Sequence, residues 1–167
     1  MKKILALVLS IFVGIQSFGQ VNPQEKKAQT FSVDTLVLRL DKLQHDYEFL
    51  YCEYQISGLA QDLKELANST NIAIHDVIIE YYHSKYDSDL YDVYVDGYNV
   101  KQDLLEVLKG YADSLRILVS LKMYATGFTE EETEVIKRGF NVVQSSVETC
   151  EAALKYLNAA LKAYRNK

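Results

Sequence analysis

Apolar residues fall at helical intervals along most of this chain. From Asp34 onward, Leu36, Leu40, Leu43, Tyr47, Leu50 and Tyr54 step by four and three, the stripe of an α-helix. A second stripe then takes over, through Phe49, Cys52, Ile56, Leu59, Leu63 and Leu66. The handover turns the apolar face around the helix, as a stutter does in a coiled coil. Asn68-Ser69-Thr70-Asn71 follows, a run of side chains that compete for helical backbone bonds, and the pattern predicts a break there.

Residues 72–100 support two readings. Ile74, Ile78 and Tyr81 fit a helix, yet the β-branched Ile72, Ile74, Val77, Ile78 and Ile79 also suit a strand. Asp96-Gly97 between apolar alternations is a hairpin signal. A lone hairpin is marginal, and Leu104, Leu108, Tyr111, Leu115 and Leu118 continue at helical spacing, so helix is the preferred reading for both stretches. Gly127 is placed to end a helix in the left-handed conformation. Thr129 and Glu132 have the spacing of a capping box. Ile136, Phe140, Val143, Val147, Cys150, Leu154, Leu157, Leu161 and Tyr164 then form an unbroken seam that needs a partner helix along its length.

These patterns predict an all-α fold, an up-down bundle of three long helices plus one shorter helix, over about 34–67, 71–84, 88–126 and 129–165. The bundle domain is expected over 34–167. Ahead of it, Met1-Lys2-Lys3, the apolar run Ile4–Ile15 and the small residues Ser17 and Gly19 have the three-part plan of a secretory signal peptide, assigned to 1–19. The run is too short to span a bilayer. Its Phe18-Gly19-Gln20 end resembles bacterial export signals. Residues 20–33, with the only proline, Pro23, read as a disordered lead. The expected address is therefore periplasmic or secreted, with no membrane span after cleavage.

Cleavage would remove Lys2 and Lys3 and no acid, taking the formal net charge from −5 to about −7. An acidic, unclustered surface argues against nucleic acid, which calls for concentrated Lys and Arg. Cys52 and Cys150 both sit on apolar seams, and export permits pairing. If the last helix ran antiparallel to the first, the two would lie at nearly the same level, so they are the expected disulfide; a parallel arrangement also fits the pattern.

Glu80-Tyr81-Tyr82-His83 is a single Glu-x-x-His half-motif, and His75 shares its helical face with His83. Di-iron bundles use two such motifs, so His75, Glu80 and His83 make only a minor metal alternative, and no cofactor is expected. Asp92, Asp96, Gly97 and Asp103 match four positions of a calcium loop, but Tyr94 and Val100 occupy positions where the loop needs better oxygen donors. Tyr86, Asp89, Tyr91, Tyr94 and Tyr98 form the most distinctive patch, in which rigid rings flanked by carboxylates suit recognition of proteins or sugars. No nucleophile elbow, phosphate loop or dinucleotide fingerprint is present. The expected function is a non-enzymatic binding or scaffold module working through an unidentified protein partner, and a homo-oligomer is compatible with it. The alternatives are the metal-binding bundle and a structural part of a cell-envelope secretion or conjugation assembly.

Overall fold

A computed structural model describes residues 33–167. The expected signal segment, 1–19, and almost all of the expected lead, 20–32, lie outside the described residues. By its contacts the chain divides between Leu36 and Val37, and the bundle is the unit Val37–Lys167.

Three helices make up the described residues: α1, Val33–His83; α2, Ser88–Thr126; and α3, Glu130–Arg165. The chain runs up, down and up, so α1 and α3 are parallel. Both short connections are built as their sequences require. Asp87 caps α2, its carboxylate accepting from the backbone N–H groups of Asp89 (2.9 Å) and Leu90 (3.1 Å). Gly127 closes α2 at φ 70°, a left-handed conformation that a side chain would strain. Thr129 and Glu132 form the capping box that opens α3.

The expected break at residues 68–71 does not occur, which reduces four helices to three. The hydroxyls in that run bond back to their own helix instead of leaving it. Thr70, fully buried, donates to the Leu66 carbonyl at 2.7 Å, and Ser69 donates to the same oxygen at 3.0 Å. Asn68 and Asn71 are exposed. Residues 72–83 are therefore the last turns of α1, and 88–100 open α2 with no hairpin.

The core lies between the second stripe of α1 and the seam of α3, with α2 laid across them. Cys52, Ile56, Leu59, Leu63 and Leu66 meet Leu105, Leu115 and Val119 of α2 and Ile136–Leu154 of α3. Burying each such side chain contributes about 1.5–3 kcal/mol. A smaller cluster of Val77, Leu157, Leu161 and Tyr164 closes the end near the α1–α2 connection. There the Asp87 backbone N–H donates to the Tyr164 hydroxyl at 3.3 Å, and Lys167 donates to the carbonyls of Tyr81 and Ser84.

Parallel packing of α1 and α3 corrects the disulfide expectation. The Cys150 thiol donates to the Leu63 carbonyl at 3.0 Å, so Cys150 is level with Leu63. Cys52 is eleven residues lower on α1, about 16 Å along the axis, whereas bridged Cα atoms lie within about 7 Å. Both cysteines are free and fully buried.

Candidate interaction surface

A helix in a three-helix bundle has one face inside and the rest in water. On α1 the second stripe takes the inside: Cys52, Ile56, Leu59, Leu63 and Leu66 are at most 4% exposed. The first stripe lies roughly opposite, as 100° per residue requires. Leu40, Leu43, Tyr47, Leu50 and Tyr54 are 59–74% exposed, and Leu36 in the first turn is exposed as well. Continuing the same spacing beyond Tyr54 gives Ser57, Gln61, Lys64 and Asn68, all exposed and polar. The outward apolar row on α1 therefore has a definite end.

Helix α2 carries a longer outward row. Val93, Val100, Leu104, Val107, Tyr111, Leu118 and Leu121 are 40–66% exposed. Gly97, Ser114 and Ala125 complete an unbroken four-three alternation from residue 93 to 125. The row borders the groove between α1 and α2. At one end the groove is lined by Asp62, Glu65 and Ser69 of α1 and by Val100 and Leu104 of α2. At the other it is lined by Asp41, Gln44 and Glu48 of α1 and by Leu118 and Leu121 of α2. The α1 side is mostly polar, with Leu66 and His45 among its acids and amides, and the α2 side sets Lys101 and Lys122 among its apolar residues. Tyr111 crosses the groove to donate to Gln55 at 2.7 Å.

Ion pairs tie the helices beneath these rows. Lys122 donates to Glu48 and lies 5.1 Å from the Tyr51 ring centroid; the Glu48 bond raises its pKa. Lys109 joins Glu106 (3.0 Å) to Glu151 of α3 (3.1 Å), and both bonds raise its pKa. His45 Nε2 lies 3.0 Å from both carboxylate oxygens of Glu132, the same residue that completes the capping box. The His45 ring meets Phe128 edge-on at 5.7 Å, and Phe49 also meets Phe128 edge-on at 5.8 Å. The Glu132 bond raises the His45 pKa, and the Thr129 backbone bond, with help from His45, lowers that of Glu132. This clasp fixes the α2–α3 turn to α1.

The tyrosine patch is divided between packing and solvent. Tyr91, Tyr94 and Tyr98 are half-buried against the smaller core cluster, and the Tyr86 ring meets those of Tyr91 and Tyr164 at a tilt, with centroids 6.0 and 5.5 Å away. Asp89 sits in the first turn of α2, facing water. Burial raises the Tyr94 pKa. The tyrosines thus present edges, and the larger exposed apolar area belongs to the two outward rows.

His75 and His83 are exposed on the last turns of α1, and Glu80 is half-buried there. Among the described residues no cluster of three or more His, Cys, Asp or Glu side chains is placed to hold a metal ion. Asp92, Asp96, Gly97 and Asp103 lie within the continuous helix α2, where no loop gathers them. Burial raises the pKa of both thiols, which disfavours the reactive thiolate. No helix among the described residues is long and apolar enough to cross a membrane.

Sequence periodicity blended two features on α2. Leu104, Tyr111 and Leu118 belong to the outward row, while Leu108 and Leu115 face the core with Leu105, Ala112 and Val119. The signal that separates them is the heptad line Val93, Val100, Val107, which shares its register with the outward set. The His45–Glu132 clasp joins residues 87 apart, and no local spacing announces it.

No protein-family model, curated protein or solved structure matches the chain.

Proposed function

We propose that the protein is an exported, non-enzymatic binding or scaffold module, and that it works by lending the outward row of α2 to a helix of another protein. The observation that carries this reading is the seven-residue exposed row from Val93 to Leu121, which keeps coiled-coil spacing over about 42 Å. Isolated exposed apolar residues are ordinary, but a row of this length, interrupted only at Gly97 and Ser114, is a docking feature. An amphipathic helix laid along the row would meet the apolar side chains of α2, flanked by Lys101 and Lys122 and by the acids of α1. Export rests on the basic and apolar start of the chain, Met1–Gly19.

The test is site-specific photocrosslinking in the source cell envelope. A crosslinker at Val107 should capture a discrete partner, and one at the exposed Lys155 on α3 should not. Equal capture at the two sites, or none at Val107, removes the reading. A structural role in an envelope assembly is the second reading. It is favoured by the presence of outward rows on two different helices, which would allow each copy to touch two neighbours.

A further inference from the structure

We infer that the outward row of α1 is a self-association face, on which a second copy of this chain lies antiparallel. The inference rests on α1 and is independent of the groove proposed for a foreign helix.

Three observations identify the occupant. First, the row is self-complementary. Its repeat of 3.5 residues calls for a helix of the same repeat, and turning one copy end for end about residue 45 sets Leu40 opposite Leu50 and Leu43 opposite Tyr47. Each layer then pairs two apolar side chains, and no tyrosine faces a tyrosine. Second, the row ends where such a pair would end: Ser57, Gln61 and Lys64 continue the line in polar residues.

Third, the two halves of the row have different support. Near His45 the helix passes the α2–α3 turn, and every residue from 37 to 44 is exposed. Beyond His45, α1 is backed by the rest of the bundle. Antiparallel pairing lays the unsupported half of each copy against the supported half of the other. A parallel pair would leave both unsupported ends side by side.

The area is adequate for a modest dimer. Taking about 200 Å² for a large side chain, Leu40, Leu43, Tyr47, Leu50 and Tyr54 expose roughly 600 Å² at their observed 59–74% exposure. With both rows fully covered, two copies would bury at most roughly 1,200 Å², the lower edge of stable specific interfaces. Asp46 flanks the row and, in this register, comes close to its symmetry mate at the two-fold axis. Like charges there oppose the pair at its centre.

The test uses the chain as recovered from expressing cells, its N-terminus read by mass spectrometry, in sedimentation equilibrium. We expect a monomer–dimer equilibrium with a Kd on the order of 10–100 μM. Leu43→Glu should weaken it at least about tenfold with helicity and urea midpoint of the monomer unchanged, since Leu43 touches no core. Asp46→Asn should tighten it by about twofold. Oxidation of the double variant Leu40→Cys/Leu50→Cys should give a covalent dimer, and Leu40→Cys alone should not. A monomer at all concentrations to about 200 μM overturns the inference. So does a dimer indifferent to Leu43→Glu, and efficient crosslinking by Leu40→Cys alone overturns the antiparallel register.

Discussion

Between Leu40 and Leu66, α1 carries two apolar rows of the same spacing, one turned to solvent and the other closed into the core. Neither composition nor period separates them. What separates them is the partner: the inner row lies against Ile136, Phe140, Val143 and Val147, whereas the outer row stays exposed among the described residues. Periodicity therefore reports that a helix has an apolar face, while burial reports whether this chain supplies the cover. The comparison also assigns different duties. The inner row holds the bundle together, and the outer row is free to bind.

The largest expected effect is a contrast between rows. Leu63→Ala should cost about 2–5 kcal/mol in urea unfolding, because Leu63 is fully buried and its loss leaves a cavity. Leu43→Ala, measured below the dimer Kd, should change stability by no more than about 0.5 kcal/mol. Comparable losses from the two would erase the distinction.

A second contrast uses glycines. A Cβ at Gly139 would lie 2.8 Å from Ile56 Cγ2, so this glycine sets how closely α3 approaches the inner row. Gly139→Ala should cost about 1–3 kcal/mol from overpacking, less up to about 1 kcal/mol of helix propensity. At Gly58 a Cβ meets nothing within 4 Å, and Gly58→Ala should stabilise by up to about 1 kcal/mol. A stabilised Gly139→Ala would show that α1 and α3 are not tightly apposed there.

The smallest effect concerns pH at the clasp, where α1 leaves the bundle. The His45 pKa is raised above its ordinary 6.5, so its contribution is full below that value and fades as pH rises through the raised one. The Glu132 pKa is lowered below its ordinary 4.5, so its contribution is full above that value and fades as pH falls through the lowered one. The clasp is thus strongest between 4.5 and 6.5. Thermal melts of the wild type should lose stability relative to His45→Gln between about pH 6 and pH 8. Parallel pH curves for the two proteins would show that the pair does not stabilise the fold.

The features legible in the sequence are those written locally. The seam of α3, the Thr129–Glu132 capping box and the Gly127 terminator each occupy a few turns of chain, and each is formed as read. Asn68–Asn71 misled because the helix-breaking tendency of Ser and Thr depends on where their hydroxyls bond, and here they bond back to Leu66. The cysteines misled through helix direction. A break at 68–71 makes four helices and sets first and last antiparallel, and its absence makes three and sets them parallel. For the interaction surface, the first stripe of α1 was visible as a stripe, but its exposure depends on how many helices the chain supplies to cover it.

The parallel course of α1 and α3 also bears on how the chain reaches its fold. The bonds linking these helices join residues 87 apart, as between His45 and Glu132 or Cys150 and Leu63. The two hairpins, α1–α2 and α2–α3, can each zip outward from a short turn, whereas the α1–α3 seam must close a loop containing all of α2. Most of the core is therefore entropically the last to assemble. Until it does, both rows of α1 are open to solvent together, and during that interval the inner row competes with the outer one for a neighbouring chain.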